Sequence, residues 1–437
     1  MAYAERRGQG KFPWRARYKR PDGTLGSEPG FRTKTAAEKY GEDQEAAIRR
    51  GAWVDPAKSQ TTFGEWVTLW KSANKPRPGT STKRRHLLDG LLLPEWEFTP
   101  LHQVNNVFAV KAWAARAAKP TGKHDAITVG HARSLLSSIL TGAEDAGYIV
   151  ANKLYGRKVA VTGERAGDKE EIWAQPDEVY RLYERLGGVH GLMVLTDCYL
   201  GLRWGELTGL HRDNCLLKRV DRLDGKQFVR HVVRIDSLLG ALHEDEFELD
   251  EDELAAWHAA EDERLAECRA KGWKANRRRA PKAVVKLYRG APKNKYSARE
   301  VDVPPFLVSL LARHIEAWPH EHPFVTPSGE DWRRGNFTKI LRPAADGRDA
   351  IPRKRGFAGR DELAPIIPGL TMRGARHTAD TWMKEDRVDR ALRFLTMGWV
   401  PKDIEGTYEH VTPEMRKHRM EHLEARWARG RQVADAA

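Results

Sequence analysis

The strongest periodic signal in this sequence of 437 residues begins at Thr62. Thr62 and Glu65 have the spacing of a capping box, in which each side chain binds a backbone N–H of the first helical turn. Four apolar side chains then recur at positions i, i+3, i+4 and i+7: Phe63, Trp66, Val67 and Trp70. The pattern predicts an amphipathic helix whose aromatic face must be buried against other helices.

Helical periodicity continues to about residue 155. A second core-facing helix before Gly147 is marked by Leu135, Leu136, Ile139 and Leu140. Between the two helices, a Pro-rich loop at 75–79 leads into a basic run, which we also interpret as a loop: Lys83, Arg84 and Arg85. We therefore predict an all-helical domain with basic loops over residues 59–155.

The segment that precedes this domain has the period of a β-strand. Alternation puts Trp14, Ala16 and Tyr18 on one face and Arg15, Arg17 and Lys19 on the other. Thr35 and Glu38 have capping-box spacing, which predicts a helix from there to about Arg50. We predict a small sheet whose apolar face packs on that helix and whose cationic face reads a DNA groove. The alternative is an ordinary solvated face.

Charge and composition limit the classes of function. The 75 Lys and Arg residues exceed the 61 Asp and Glu residues by 14, and 40% of the chain is hydrophobic, too much for a wholly disordered protein. No window approaches the ~18 consecutive apolar residues of a membrane-spanning helix, and the N-terminus lacks the apolar core of a signal peptide. We expect a cytoplasmic protein with a polyanionic partner, nucleic acid first.

The chain has three cysteines, Cys198, Cys215 and Cys268, without C-x-x-C spacing. This pattern argues against a disulfide framework and against a zinc site. We also find no H-E-x-x-H motif and no Walker-type loop, so we predict neither a metal nor any other cofactor. At roughly 150 residues per domain, the length suggests about three domains.

Candidate site residues lie in separate segments of the second half. Arg203 and Glu206 are three apart on a predicted helix, where the carboxylate can orient the guanidinium. Lys293 precedes the apolar alternation at Val301 and Val303, which predicts a hairpin with lysines near its tip. Taken alone, a helix-surface ion pair and an exposed hairpin lysine are the ordinary interpretations.

Read in order, these segments resemble the tyrosine site-specific recombinases, or phage-type integrases. The run Gly-Leu-Arg-Trp-Gly-Glu-Leu around Arg203 is similar to the family's first-arginine motif, and Lys293, in Pro-Lys-x-Lys-x-Ser-x-Arg, is similar to its hairpin lysine. The run Arg-His-Thr at Arg376 resembles the second-arginine box. Trp399 stands where the family has His or Trp, and Tyr408 follows at the spacing of the family's nucleophile.

The resemblance implies a mainly α fold with small β-sheets, arranged as a multidomain tyrosine recombinase. Its domains would be a three-stranded sheet plus helix for arm-type DNA (1–58), an all-helical, SAM-like core-binding domain (59–155) and a mixed α+β catalytic domain (173–425). The prediction also includes a linker at 156–172, a charged and mostly helical insertion at about 243–285 and a C-terminal tail at 426–437. The apolar stripe Met420, Leu423 and Trp427 predicts a docking surface, either within the chain or on a neighbour, and the resemblance implies that it docks on a neighbouring protomer.

The implied roles agree with the chemistry of a phosphodiester. Guanidinium groups of Arg203 and Arg376 stabilise the charge that builds on the non-bridging oxygens. Tyr408 attacks phosphorus, and Lys293 protonates the departing oxygen. Trp399 donates its indole N–H or packs against the tyrosine.

One position departs from the family pattern. The second-arginine box begins with His three residues before its arginine, and this chain has Arg373 there. Arginine donates hydrogen bonds to phosphate and cannot accept a proton at neutral pH, so the general base stays unassigned. His377, next to Arg376, should point elsewhere on the helix and have a supporting, structural role.

The function predicted from these motifs is integration and excision of a phage genome or other mobile element through a 3′-phosphotyrosyl intermediate. The expected partners are double-stranded DNA with core and arm sites, three further protomers in a homotetramer, and a directionality factor or host DNA-bending protein. No membrane partner is expected, and the location is the nucleoid of a bacterial host. Two alternatives stay open: a type IB topoisomerase-like nicking-closing enzyme, and a catalytically silent DNA-binding regulator on the same fold.

Overall fold

The computed structural model describes residues 2–119, 122–157, 171–223, 226–281, 283–353, 358–400 and 410–436. The chain forms two compact units, Met1–Lys169 and Glu170–Ala437. The mainly helical fold with small antiparallel sheets is confirmed. Among the described residues, no helix is both long and apolar enough to cross a membrane.

The first unit opens with a three-stranded antiparallel sheet in the order β1-β2-β3. Its elements are β1 (Tyr3–Arg6), β2 (Trp14–Lys19), β3 (Leu25–Phe31) and the helix α1 (Lys34–Arg49) that packs on it. Ala16 and Tyr18 are buried, as the alternation predicts. The cap is displaced from the predicted one: Thr33, and not Thr35, accepts a hydrogen bond from the Ala36 N–H at 3.2 Å.

Seven further α-helices follow in the described part of this unit. They are α2 (Pro56–Ser59), α3 (Phe63–Ala73), α4 (Pro78–Leu87), α5 (Leu93–Trp96), α6 (Leu101–Val104), α7 (Val107–Ala117) and α8 (Ala126–Asp145). The capping box of Thr62 and Glu65 is present, and the four predicted apolar side chains of α3 are all buried. They pack on the apolar face of α8 in one helical core, which confirms the periodicity argument.

The basic run at 83–85 was wrongly predicted as a loop. Lys83, Arg84 and Arg85 lie on α4, which starts at Pro78. Proline fits the first helical position, where its missing N–H costs no hydrogen bond, so the Pro-rich loop ends in a helix start. The Arg84 guanidinium stacks over the Trp70 ring at 4.9 Å.

The second unit contains the remaining elements. They are α9 (Pro176–Leu186), α10 (Gly188–Leu200), α11 (Trp204–Thr208), β4 (Cys215–Leu223), β5 (Lys226–Ile235), β6 (Ala241–Glu248), α12 (Glu251–Ala270), β7 (Ala283–Gly290), β8 (Arg299–Asp302), α13 (Pro305–Ala317), α14 (Arg334–Asp346), α15 (Met372–Glu385), α16 (Arg390–Met397) and α17 (Pro413–Asp435). The core centres on α10, in which 11 of 13 residues are buried.

The strands form two separate sheets, which corrects the predicted hairpin around Lys293. β8 pairs antiparallel with β5 in the order β4-β5-β8, whereas β7 pairs with β6. Lys293 therefore lies on the connection between two sheets and not at the tip of a hairpin formed by β7 and β8.

The charged insertion is only partly helical. Residues 243–248, predicted as part of a helix, belong to β6, which pairs with the basic strand β7 with Asp245 opposite Lys286. The Tyr288 hydroxyl donates to the Asp245 carboxylate at 2.7 Å. Cross-strand partners outweigh the helix propensity of this acidic segment. The predicted helix begins later, at α12, where Asp250 forms a capping box with Glu253.

The C-terminal helix α17 packs within its own unit. Leu423 is buried in the core, and the Trp427 ring stacks on Phe306 with centroids 4.4 Å apart. The stripe expected to dock on a neighbouring protomer is thus used inside the chain. Residues 426–435, predicted as a tail, are the last turns of this helix.

Candidate active site

Arg203 is positioned by a sharp break between two helices. Buried α10 ends at Gly201, whose φ of 68° is left-handed, and an added Cβ would meet the Met397 sulfur at 2.9 Å. The chain then turns so that Arg203 is the N-cap of α11, where its backbone N–H donates to the Glu206 carboxylate at 3.0 Å. The glycine is needed here because a side chain would be strained and crowded.

The Arg203 side chain is held on one edge and open on the other. Its guanidinium donates to the Glu206 carboxylate at 2.6 Å, to the Ser297 hydroxyl at 2.9 Å and to the Gly398 carbonyl at 2.9 Å. Among the residues that the structure describes, these bonds use three of the five N–H donors of the guanidinium, which leaves two for another acceptor. The side chain is 28% exposed, which makes those donors accessible.

Arg299 is a buried member of this site that sequence analysis missed. Its side chain is 1% exposed and donates to Glu206 at 3.0 Å. It also donates to the carbonyls of Thr396 and Ser297. Strand periodicity is a signal that could have found it, because Arg299 shares a face with buried Val301 and Val303.

Arg376 approaches the same carboxylate from α15. Its Nη1 lies 4.0 Å from Glu206, and its two terminal nitrogens donate to the carbonyls of Gly201 and Met397. Gly398, again with a left-handed φ of 58°, turns its carbonyl to Arg203. Backbone carbonyls thus fix both arginines without adding negative charge. We call Arg203, Glu206, Arg299 and Arg376 the guanidinium cluster.

The guanidinium cluster has an excess of positive charge. Burial is the largest single influence on Glu206 and would raise its pKa, but the Arg299 and Arg203 groups together outweigh burial and hold the pKa below its usual value. Burial, with neighbouring Arg203, lowers the pKa of Arg376 to about 10, so the group stays charged at neutral pH. One ionised carboxylate therefore faces three guanidinium groups.

A second carboxyl group beside the guanidinium cluster contributes less charge. Asp197 of α10 is fully buried, and burial raises its pKa well above the usual value although Arg376 opposes this. Its neutral form is thereby favoured. Asp197 carries no motif, and sequence analysis missed it.

Two cavities open onto Arg203. One of about 340 Å³ is lined by Arg203, Glu206 and Lys293, with His243 on its β6 wall. The other, of about 620 Å³, is lined by Arg203, Asn294 and Trp399. The structure thus places Lys293 and Trp399, predicted from segments about a hundred residues apart, in the walls of cavities that share Arg203.

Arg373 lies outside this arrangement. Its side chain is 75% exposed and forms an ion pair with Glu171 at 2.8 Å. His377, one turn along α15, has its Nε2 3.5 Å from the same carboxylate. The structure therefore does not join Arg373 to Arg203 and Arg376, and His377 points away from them as expected.

The predicted nucleophile Tyr408 lies outside the described residues, which resume at His410. The role of Tyr408 stays a prediction.

The predicted DNA-binding cations lie in the first unit. Arg17 is 22% exposed and pairs with Glu5 on β1 at 2.8 Å, while Lys19 is exposed. Lys83 is exposed on α4, with Arg84 and Arg85 half-buried beside it.

No protein-family model and no curated protein matches this chain. The chain is similar to several solved structures. The integrase of the transposon Tn1549, residues 82–397, solved with transposon right-end DNA, is 15% identical, with a TM-score of 0.49 over 83% of this chain and 100% of that one. A lambda integrase tetramer bound to a Holliday junction is 12% identical, with a TM-score of 0.44 over 94% and 98% of the two chains.

The XerA recombinase is 14% identical, with a TM-score of 0.28 over 82% of this chain and 96% of that chain. Two of these structures are of integrases and the third is of a recombinase.

Proposed function

We propose that this protein is a site-specific DNA recombinase that cuts and rejoins DNA through a phosphotyrosyl intermediate. The observation that carries the proposal is the guanidinium cluster: three arginines on one ionised carboxylate, with two N–H donors of Arg203 open to cavities that also contain Lys293 and Trp399. A fixed excess of positive charge suits a phosphodiester, whose negative charge grows in the transition state.

In the proposed reaction, the phenol oxygen of Tyr408 attacks the phosphorus atom of the scissile phosphodiester. A bond forms between phosphorus and the tyrosine oxygen as the bond to the 5′-oxygen breaks, leaving a 3′-phosphotyrosyl enzyme. The phenol gives its proton to solvent water, since no general base is assigned, and Lys293 gives a proton to the departing 5′-oxygen. Attack by a 5′-hydroxyl of another strand reverses these steps and rejoins the DNA.

The arginines have separate tasks in this scheme. Arg203 and Arg376 hold the non-bridging phosphate oxygens, and Arg203 is the more accessible of the two. Arg299 is too buried to reach the DNA and is a positioning residue, because it anchors Glu206 from behind. Trp399 supplies an indole N–H at the wall of the larger cavity.

DNA contact outside the active site is assigned to the first unit. The outer face of β2 with Arg15, Arg17 and Lys19 binds accessory arm sites, and α4 with Lys83, Arg84 and Arg85 binds the core site. Such phosphate contacts position the duplex and make affinity fall steeply with salt. A homotetramer that integrates and excises a phage or other mobile element, with a directionality or DNA-bending partner, completes the proposal.

A nicked suicide substrate tests the chemistry. Wild-type protein should form a covalent adduct that resists denaturing gel electrophoresis, because the nick releases the 5′-fragment and blocks rejoining. Tyr408→Phe should form no adduct while retaining DNA binding in a gel-shift assay. An adduct in Tyr408→Phe, or none in wild type on core DNA, would overturn the nucleophile assignment.

The nicking-closing alternative shares this chemistry, so a second assay separates the two. Two duplexes with different end labels should yield recombinant products of exchanged length. Relaxation of supercoils without any exchange would favour a topoisomerase-like enzyme.

A further inference from the structure

Three metal-ligating side chains of the second unit converge away from the guanidinium cluster. His211, Glu321 and His322 each offer one ligand atom, and these atoms all lie within 4.8 Å of one another. His211 follows α11, whereas Glu321 and His322 lie in the segment after α13. Since more than a hundred residues separate the two segments, the spacing rules that predicted no metal site could not detect this one.

Backbone contacts hold the two segments together. The Arg212 N–H donates to the Glu321 carbonyl at 2.9 Å. The Arg212 guanidinium also donates to the carbonyls of Ile315 and Trp318, at 2.6 and 2.9 Å. The ligands are therefore brought together by the fold itself, which reduces the cost of ordering them around an ion.

The His322 ring is oriented for coordination. Its Nδ1 lies 2.9 Å from the Leu210 carbonyl, so Nδ1 carries the proton and the Nε2 lone pair is left for a ligand. A neutral ring with a free Nε2 is the form that binds metal.

His211 has a carboxylate on each side. Its Nδ1 lies 3.5 Å from an Asp213 oxygen, and its Nε2 lies 3.8 Å from a Glu321 oxygen. Nδ1 also accepts a hydrogen bond from the Asp213 backbone N–H at 3.2 Å, so the ring proton lies on Nε2 in the metal-free protein. Metal binding at Nε2 needs the other tautomer, in which Nδ1–H donates to the Asp213 carboxylate in place of accepting from the backbone.

The distances suit one shared ion. Ligand atoms about 2.1 Å from a tetrahedral zinc ion lie ~3.4 Å apart, close to the observed 3.8 Å between His211 and Glu321. The Glu321 side chain is 81% exposed and can move this small distance. We propose that His211, Glu321 and His322 bind one divalent transition-metal ion of the zinc class, with water in the fourth position.

The ion would link two segments of the second unit. One directly follows α11, the helix that is capped by Arg203 and contains Glu206, and the other follows α13. Because none of the three ligands lines the two cavities at Arg203, the ion takes no part in strand cleavage. The inference is independent of the proposed recombinase function.

Titration of the metal-stripped full chain with Zn²⁺ alone, followed by calorimetry, tests the site. Wild-type protein should bind one equivalent that His211→Ala and Glu321→Gln each weaken at least tenfold. His320→Ala is the matched control, because this half-buried histidine lies in the same segment and its ring contacts Trp318 and the Pro327 carbonyl instead. It should bind Zn²⁺ like wild type.

Thermal unfolding gives a second readout. Zn²⁺ should raise the Tm of wild type and His320→Ala by several degrees, and should leave His211→Ala unchanged, since only binding to the folded state stabilises. The proposal is overturned if wild type and His211→Ala bind Zn²⁺ equally, or if His320→Ala weakens binding as much as His211→Ala. The His211→Ala and His320→Ala variants should both fold, because these half-buried side chains fill no core position.

Discussion

Two groups of buried and half-buried arginines in the second unit differ in how their charge is balanced. In the guanidinium cluster, three arginines share one ionised carboxylate, Glu206. In the second group, three arginines of α17 lie beside three carboxylates: Arg416 pairs with Asp302, Arg426 pairs with Glu385 and Asp386, and Arg419 donates to backbone carbonyls. We call this second set the C-terminal cluster.

The clusters also differ in access. Arg419 is 1% exposed and donates to the carbonyls of Asp302 and Tyr199, and Arg426 forms two bonds to Asp386 while stacking over Trp382. Arg203, by contrast, keeps donors open to two cavities. Burial of an arginine is therefore no functional signal by itself. Unbalanced charge together with open donors is what suits a site for an anion.

The largest effect is expected from Arg203→Ala. Loss of a guanidinium that stabilises a transferring phosphoryl group typically costs about 10³-fold or more. We expect a loss of this size in the rate of adduct formation on the suicide substrate, with little change in stability because the side chain is partly exposed. Arg203→Lys should recover only part of the rate, since lysine lacks the planar fork. Full activity of either variant would remove Arg203 from the site.

Arg419→Met should act on stability instead. The substitution removes the Arg419 donors from the Asp302 and Tyr199 carbonyls. It also removes the guanidinium charge near the Asp302 carboxylate. We therefore expect the free energy of unfolding to fall by about 3 kcal/mol. Urea denaturation measures this. Lys417→Met, at an exposed position of the same helix, is the control and should change little. Adduct formation per folded molecule should match wild type, and a specific catalytic loss would contradict the distinction between the clusters.

Glu206→Gln should give a pH-dependent loss of stability of about 1–3 kcal/mol at pH 7. The folded-state pKa of Glu206 is lowered, so its ionised form stabilises the fold above the unfolded pKa of about 4.3, and this contribution is lost as pH falls through the folded pKa. The difference between variant and wild type should therefore shrink on acidification below about pH 4. Urea denaturation at several pH values checks this, and a constant difference would show that ionisation of Glu206 is not responsible.

The smallest effect is expected from Arg373→Ala. Its side chain is 75% exposed and pairs with Glu171 outside the guanidinium cluster. We expect the single-turnover rate of adduct formation to stay within about threefold of wild type, as for an exposed ion pair of low energy. Arg373→His should behave in the same way. A loss as large as that of Arg203→Ala would place Arg373 among the groups that contact the phosphate.

Local patterns predicted several elements well. The α3 capping box and its buried aromatic face follow from spacing alone, as do the two faces of β2 at Ala16 and Tyr18. The errors arose where contacts distant in sequence decide the outcome. Residues 243–248 became a strand because β7 pairs with them, and the Lys293 region lost its hairpin because β8 pairs with β5.

The sequence by itself determined the residue types available for chemistry and their order, with Arg203, Lys293, Arg376 and Trp399 as candidates. Only the tertiary structure decided which of them meet. Arg373 and Arg376 are the same residue type and three residues apart, yet one pairs with Glu171 at the surface and the other reaches Glu206. The left-handed turns at Gly201 and Gly398 aim their carbonyls at the guanidinium groups of Arg376 and Arg203. These turns and the orientation of the helix depend on packing between distant segments, which the local sequence does not encode.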